Sequence, residues 1–247
     1  MDRLIHTTLS GLRATMEAQR VTANNVANAA TIGFRRDDAD FASRFLGGSL
    51  LSSRAEATDS TEAVSSQAGA LIATGNPLDI ALSGGGWLAI RASDGTTAYT
   101  RRGDLRPGAD GTLQTGDGHV ALGEGGSPIK LPPGAAHPEI SADGSVSFQP
   151  PGGTATARTL AGRLQFATPA PGVLRRGGDG LLYPGNALPA DTSVRIVSGH
   201  LEQSNVNPVA EMVDLMERAR SYELQVRMIS GARDLDQSSA ALMRVER

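Results

Sequence analysis

Residues 94–123 read DGTTAYTRRGDLRPGADGTLQTGDGHVALG, and three Asp-Gly pairs separate the short runs of strand-forming residues within them. Two further pairs follow at Asp143-Gly144 and Asp179-Gly180. Asp-Gly is favoured in tight hairpins because both central positions of the turn take positive φ angles. The spacing of the pairs does not match a calcium-binding EF-hand loop, which alternates acidic residues and ends in Glu. The middle of the chain is therefore predicted to form a series of antiparallel hairpins.

The preceding residues, 74–90, read TGNPLDIALSGGGWLAI and extend the same pattern. They predict a turn, a strand at 78–82, a reversal through three glycines and a second strand from Trp87. These glycines lack the GxGxxG spacing and the strand-to-helix setting of a nucleotide-binding loop. We therefore predict a tight reversal here rather than a phosphate site.

Glycine and proline are concentrated in the middle of the chain. Of the 30 Gly, 27 lie between positions 47 and 199, and 12 of the 13 Pro lie between positions 77 and 189. Because both residues disfavour helix interiors, the two ends are free to form long helices. The predicted fold class is α+β, in which long N- and C-terminal helices, paired like a coiled coil, enclose a mainly antiparallel β insert. The predicted divisions are 1–46 (helix and connector), 47–75 (linker), 76–199 (β insert) and 200–247 (long helix).

The N-terminal residues carry an apolar stripe at alternating steps of four and three residues, which is the spacing of a heptad seam. The same spacing also fits an ordinary amphipathic helix that packs on its own chain. The predicted assembly interface of this helix consists of Ile5, Leu9, Leu12, Met16, Asn24, Asn25 and Asn28.

The C-terminal helix has a clear start signal. Asn207 can cap the first turn, Pro208 suits the first helical position, and Glu211 places negative charge at the positive end of the helix dipole. A helix over residues 208–245 would be about 55 Å long at 1.5 Å per residue, which is longer than one compact domain needs. Its predicted assembly interface consists of Met212, Leu215, Ala219, Tyr222, Val226 and Ile229 and, after a shift of one position, Leu235 and Leu242.

Composition excludes several classes of protein. The absence of Cys excludes disulfides and thiolate zinc sites. No apolar run approaches the ~18 residues of a membrane span, so no membrane insertion is expected. With a net charge of −3 and Lys130 as the single Lys, the chain lacks the basic face of a nucleic-acid-binding protein.

Catalytic patterns are equally weak. The four His have no metal-binding spacing, and no Ser stands in a GxSxG motif, so we expect no catalytic, cofactor or metal site and no enzyme activity. Carboxylates are numerous enough that a secreted enzyme acting on peptidoglycan through a carboxylate pair remains an alternative. Paired arginines at 35–36, 101–102 and 175–176 could contact acidic partners but are too dispersed to predict a patch.

Three ordered motifs carry a resemblance to a known family. They are GLRATMEAQRVTANNVANAATIGFRR at 11–36, the insert segments at 74–90 and 99–105, and GHLEQSNVNPVAEMVDLMERARSYELQVRMI at 199–229. Together they resemble the bacterial flagellar basal-body rod and hook proteins, and within them most closely the proximal rod proteins. The matching positions at the two ends include Asn24, Asn25, Asn28, Thr31, Gly33, Phe34, Arg35, Gly199, Glu202, Ser204, Asn205 and Asn207.

The resemblance implies a structural subunit that polymerises through its terminal helices into the proximal part of the flagellar drive shaft, in the rod that crosses the periplasm. Implied partners are other copies, related axial proteins and the flagellar type III export apparatus, to which the chain would be delivered unfolded. Phe41 and Phe45 resemble an element of early export substrates, although both could simply pack within the chain. A distal rod or hook-type axial protein, and a coiled-coil binding module that forms a small closed oligomer, remain alternatives.

Overall fold

The structure is a computed structural model that describes residues 2–40, 43–45, 55–57, 61–152 and 157–245. The chain divides into two compact units. The helical unit consists of Met1–Ala27, Asp37–Glu62 and Asn207–Arg247, and the β unit consists of Asn28–Arg36 and Ala63–Val206.

Two helices and nineteen strands lie in the described ranges. The helices are α1 (Asp2–Ala27) and α2 (Pro208–Val245). The strands are β1 (Asp37–Asp40), β2 (Ser43–Phe45), β3 (Ala55–Ala57), β4 (Thr61–Val64), β5 (Leu71–Ala73), β6 (Ile80–Leu82), β7 (Trp87–Arg91), β8 (Thr97–Thr100), β9 (Leu105–Pro107), β10 (Leu113–Thr115), β11 (Val120–Ala121), β12 (Ala136–Ile140), β13 (Ser145–Gln149), β14 (Thr159–Arg163), β15 (Phe166–Ala167), β16 (Leu174–Arg176), β17 (Leu182–Pro184), β18 (Ile196–Ser198) and β19 (His200–Glu202).

The largest sheet of the β unit has the order β16-β17-β8-β7-β11-β10-β9, and β15 pairs with β7 as its eighth strand. A three-stranded sheet follows the order β12-β13-β14, and β18 and β19 pair with β6 and β5. These pairings are antiparallel. The core between the sheets is apolar and includes Ile80, Leu88, Ile90, Leu113 and Ile140, all of them without solvent exposure.

The hairpin prediction is confirmed at the Asp-Gly pairs, each of which joins two consecutive antiparallel strands. The turn chemistry differs from the expectation, because only the Gly of each pair has a positive φ, as in Gly95 at 86° and Gly144 at 86°. The Asp contributes instead through its side chain. Asp94 Oδ1, for example, accepts a hydrogen bond from the Thr96 N–H at 2.8 Å, an arrangement known as an Asx turn.

The predicted fold class, α+β with terminal helices paired like a coiled coil, is wrong. About a quarter of the chain is helical and about a third is strand, so the molecule is a mostly β structure with one helix at each end. In a coiled coil the seam residues would be buried as knobs in holes. No apolar side chain of α2 whose burial is described is buried.

The physical reason is that the half-buried face of α2 mixes polar and apolar side chains, so the apolar row along this face is interrupted. Arg218 and Gln225 are half-buried there, and Gln225 Nε2 donates to Thr15 Oγ1 of α1 at 3.0 Å. A hydrogen-bonded polar pair lies where interlocking apolar side chains would be needed. The two helices are therefore in contact, but not through a continuous apolar seam.

Candidate functional site

The two terminal signature segments meet inside the β unit. The N–H of Gly33 donates to the carbonyl oxygen of Glu202 at 2.8 Å. Asn205 Oδ1 accepts from the Arg36 N–H at 2.7 Å, and Asn205 Nδ2 donates to the Gln67 carbonyl at 2.9 Å. Segments that lie almost at opposite ends of the sequence are thus joined by main-chain and amide hydrogen bonds.

A buried cluster of two arginines and one glutamate lies at this junction. Glu202 Oε1 accepts from Arg35 Nε at 2.7 Å, and Glu202 Oε2 accepts from Arg101 Nε at 2.9 Å and Nη2 at 2.7 Å. The side chains of all three are at most 2% exposed. Burial lowers the pKa of Arg101 from its usual value, and the negative charge of Glu202 opposes that shift. The arrangement is one carboxylate shared by two guanidinium groups.

The remaining donors of the cluster are aimed at main-chain oxygens. Arg101 Nη1 donates to the carbonyls of Gly84 and Gly86, and its Nη2 also donates to the Leu82 carbonyl at 2.8 Å. Two carbonyls of the three-glycine segment thus face a buried guanidinium, a role that the sequence did not predict. Trp87 follows directly, and its ring centroid lies 5.6 Å from Cζ of Arg101, within range of a cation–π interaction.

Gly33 is required by the close approach of two main chains. Its φ is +70°, and a Cβ at this position would lie 2.5 Å from the main-chain carbon of Arg101. No side chain can be accommodated there without displacing backbone. The Gly of the N-terminal signature therefore sets how closely that segment approaches β8 and the residues after it.

The asparagines of the predicted N-terminal interface make contacts within the chain. Asn25 is buried, its Nδ2 donates to the Asp37 carbonyl at 3.0 Å, and its Oδ1 accepts from the Asp37 N–H at 3.0 Å. Asn24 Nδ2 donates to Asp37 Oδ2 at 3.4 Å. In the β unit, the Asn28 carbonyl accepts from the Thr31 N–H at 3.0 Å. The Asn25 amide thus both donates to and accepts from the backbone of Asp37, and we call this pair of hydrogen bonds the Asn25 clamp. The clamp links α1 to the start of β1.

The apolar residues predicted for the α1 interface differ in exposure. Leu9 and Met16 are exposed, Leu12 is half-buried, and the side chain of Ile5 lies outside the described part of the structure. The buried residues near the C-terminal half of α1 are instead Ala18, Val21, Thr22 and Asn25. The assembly role of the predicted stripe stays a prediction.

The residues predicted for the α2 interface fall into two groups. Leu215, Ala219, Tyr222 and Ile229 are half-buried, whereas Met212, Val226 and Leu235 are exposed, and the side chain of Leu242 is outside the described part. The predicted helix cap is confirmed, because Asn207 Oδ1 accepts from the N–H groups of Val209 at 3.1 Å and Ala210 at 3.3 Å.

A second apolar face of α2 was missed by the sequence reasoning. At 3.6 residues per turn the six residues of this face, Leu235 included, fall within an arc of about 120° around the helix axis. This arc lies roughly opposite the half-buried face. Met216 is 64% exposed and Leu224 is 56% exposed. In the sequence, this face is visible as apolar residues of the C-terminal helix that lie, apart from Leu235, outside the predicted interface. The exposed face consists of Val209, Val213, Met216, Leu224, Met228 and Leu235.

The predicted export element falls on residues that the structure describes only in part or not at all. Phe41 lies outside the described residues, and Phe45 ends β2 opposite Ala55, with its side chain undescribed.

Across the described ranges, no three His, Cys, Asp or Glu side chains are grouped to hold a metal ion. A search of the same ranges finds no helix with the length and apolar character of a membrane span.

Family models match three separate parts of the chain. Residues 5–35 match "Flagella basal body rod protein", residues 81–148 match "Flagellar hook protein FlgE/F/G D1 domain", and residues 197–242 match "Flagellar basal body rod FlgEFG protein C-terminal". The first and third contain the signature segments that meet at the buried cluster.

Similar curated proteins cover almost the whole chain. The flagellar basal-body rod protein FlgF of Salmonella typhimurium is 39% identical over 240 residues, which is 93% of this chain and 94% of the relative. FlgF of Escherichia coli is 38% identical over 95% of each chain. FlgG of Agrobacterium fabrum is 32% identical over 92% of this chain and 94% of the relative. The chain therefore belongs to the flagellar basal-body rod protein family, and within it is most similar to the proximal rod proteins.

Proposed function

We propose that this structural rod subunit polymerises through α1 and α2 into the proximal part of the flagellar drive shaft. The observation that carries the proposal is the exposed apolar face of α2, from Val209 to Leu235. Isolated exposed apolar residues are ordinary, whereas six exposed apolar residues on one side of a long helix, with Arg220 and Arg227 among them, form a candidate interaction surface. Each such side chain contributes about 1.5–3 kcal/mol when it is fully buried.

Open polymerisation follows if this face contacts a different surface of the next subunit. Such head-to-tail contacts form a helical filament when the rotation between subunits does not close. The proposed partners are other copies of the chain and related axial proteins. In this scheme the predicted ends, 1–46 and 200–247, supply the core of the rod, 47–75 links them to the outside, and 76–199 forms the outer insert.

The proposal extends to delivery and location. The family belongs to the flagellar basal body, and we infer that this chain lies in the part of the rod that crosses the periplasm. We also infer that the flagellar type III apparatus exports it, with Phe41 and Phe45 as a candidate export element. Substitution of both Phe by Ser should leave the purified chain folded but reduce its appearance outside the cytoplasm. Unchanged export would remove the candidate element.

A single substitution on the exposed face tests the assembly mechanism. Leu224→Asp places a charge on a surface that is already solvated, so the isolated chain should keep its wild-type circular dichroism. In a strain that lacks its own copy, we expect loss of swimming in soft agar and at least a tenfold drop of the chain in isolated basal bodies. Gln237→Asp, an exposed position of α2 outside the apolar arc, is the matched control. Normal incorporation of Leu224→Asp would overturn the role of this face.

We further infer a structural role without enzyme activity. The support is that the similar proteins bear rod-protein names over their whole length. A peptidoglycan zymogram with the purified chain tests the enzymatic alternative. Clearing that disappears on substitution of a single Asp or Glu would overturn the structural interpretation, and the absence of clearing beside an active lysozyme lane is the expected result.

A further inference from the structure

A small cavity of about 130 Å³ lies in the β unit beside the buried arginine–glutamate cluster. All three arginine pairs that stand far apart in the sequence contribute to its wall. Two carboxylate-bearing residues, Asp117 and Asp179, also line it. Guanidinium groups thus outnumber carboxylates among the lining residues, although one of them, Arg102, is paired with Asp104 at 2.7 Å. The lining arginines are Arg35, Arg101, Arg102 and Arg176.

The cluster next to the cavity is not electrically balanced. Arg35 and Arg101 share the single carboxylate of Glu202. The other hydrogen bonds that these two guanidinium groups donate go to carbonyl oxygens, among them that of Ser66 at 2.6 Å from Arg35 Nη1. Two positive charges and one negative charge are therefore held in a site almost without solvent. Burial of an uncompensated charge is strongly unfavourable, so a further negative group beside the cluster would be stabilised.

One donor of the cluster is unused. Arg35 Nη2 is buried and has no hydrogen-bond partner among the residues that the structure describes. Buried polar groups in folded proteins are nearly always hydrogen-bonded, so an orphaned guanidinium nitrogen calls for an explanation. The paired N–H groups of a guanidinium fit the two oxygens of a carboxylate or phosphate. Arg35 is both unpaired at this atom and part of the cavity wall.

The size of the cavity limits what it can hold. Sites for small-molecule substrates usually enclose about 300–1,000 Å³, whereas a cavity of about 150 Å³ holds one benzene molecule. Part of the wall is fixed, because Arg176 lies over the Phe34 ring at 4.4 Å and its Nη2 donates to the Arg35 carbonyl at 2.8 Å. The space therefore suits a single small group rather than a metabolite.

We propose that this cavity is a binding site for one small oxyanion, a carboxylate or phosphate group, with Arg35 as its principal charged contact. The group would accept from Arg35 Nη2 and neutralise the excess charge of the cluster. It is either a free ion or the acidic side chain of a protein partner. The site does not depend on the rod role, since all the residues that line it belong to the β unit.

The chain contains its own reporter for this site. Trp87 is the single Trp of the sequence, and its ring centroid lies 6.0 Å from Cζ of Arg35. We expect the fluorescence of the full-length chain to change saturably with sodium acetate or sodium phosphate at constant ionic strength, and not with sodium chloride. The absence of a saturable change with either oxyanion would overturn the proposal.

A conservative variant tests the assigned residue. Arg35→Lys keeps the positive charge and a donor for Glu202 but removes Nη2, so the anion should bind at least tenfold more weakly. Arg106→Lys is the matched control, because that exposed guanidinium donates to the Gly116 carbonyl at 2.7 Å and does not line the cavity. If Arg35→Lys does not fold, Arg176→Lys serves as the second variant with the same expected loss. Wild-type affinity in a folded variant of either residue would contradict the proposal.

The source of the anion is read from a second set of titrations. A capped Gly-Glu-Gly peptide that saturates at lower concentration than acetate or phosphate identifies an acidic side chain as the natural group. Phosphate that saturates at lower concentration than the peptide identifies a free ion. Both results support the site, whereas equal effects of all anions, chloride included, would overturn it as general salt screening.

Discussion

Glu202 and Arg101 form a two-bond ion pair, at 2.9 and 2.7 Å, between side chains that are each 1% exposed. The pair joins β19, the strand that precedes the C-terminal helix in the sequence, to the segment that follows β8. Because Arg35 binds the other oxygen of the same carboxylate, a single side chain connects all three parts of the family signature.

Glu202→Gln should strongly destabilise the β unit. The substitution keeps the shape of the side chain but leaves two buried guanidinium groups without a counter-charge, and breaking a buried pair in this way costs about 3–5 kcal/mol. Urea unfolding followed by Trp87 fluorescence measures the change in the free energy of unfolding. Glu139→Gln is the control, because its pair with Arg158 is exposed and such pairs contribute about 0–1 kcal/mol. Equal effects of the two substitutions would show that the buried pair is dispensable.

Gly33→Ala and Gly75→Ala separate backbone strain from steric overlap. Both glycines have a positive φ, +70° and +74°, but a Cβ on Gly75 meets nothing within 4 Å. The strain of a left-handed Ala, about 1–2 kcal/mol, applies to both. Gly33→Ala should lose more, because its Cβ would lie 2.5 Å from the backbone of Arg101. Thermal unfolding of the two variants gives the comparison, and a similar loss for both would contradict the close approach.

Asn25→Ala should loosen the connection between α1 and β1. It removes both hydrogen bonds to the backbone of Asp37, and a buried group left without its partner costs about 1–3 kcal/mol. Hydrogen exchange at the Asp37 amide should become faster. Arg20→Ala, which removes an exposed pair with Glu17, should leave that exchange rate unchanged. Unaltered exchange in Asn25→Ala would mean that the clamp does not hold the turn.

Asp143→Asn should reduce the acid sensitivity of the β12–β13 hairpin. A hydrogen bond from the Ser145 hydroxyl is the main cause that lowers the pKa of Asp143 below its usual 3.8, and the Ser145 N–H adds to it. A lowered folded-state pKa stabilises the protein above the unfolded value, and that contribution is lost as pH falls through the folded value.

Urea unfolding at a series of pH values checks this prediction. Wild type should exceed Asp143→Asn in stability at pH 7, and the difference should shrink as the pH falls below about 3.8. A difference that is independent of pH would show that the ionised carboxylate has no special role in the turn.

The sequence predicted the parts of the fold that depend on local chemistry. The Asp-Gly pairs and the Asn207 cap act within a few residues, so their turns and the helix start could be inferred directly. The extent of the exposed apolar surface of α2 could not, because apolar residues occur on more than one face and contacts with α1 decide which of them are covered. Arg218 and Gln225 on the half-buried face have no local signal.

The arginine–glutamate cluster could not be predicted from the sequence either. Arg35 and Arg101 were noticed as members of dispersed pairs, and Glu202 only as part of a motif. What brings them together is the pairing of β19 with β5 and the passage of residues 31–36 beside it. Such long-range pairing is set by the whole β unit and leaves no spacing pattern along the chain.

The contact between Gly33 and Glu202 also sets an order of events during folding. The two residues are separated by almost all of the β unit, so the loop that they close is long and its closure carries an entropic cost that grows with loop length. If the chain emerges from a narrow passage with its N-terminus first, the segment around Gly33 must wait, unpaired, until Glu202 has emerged. The fold of the β unit therefore cannot be completed until nearly its last strand is free.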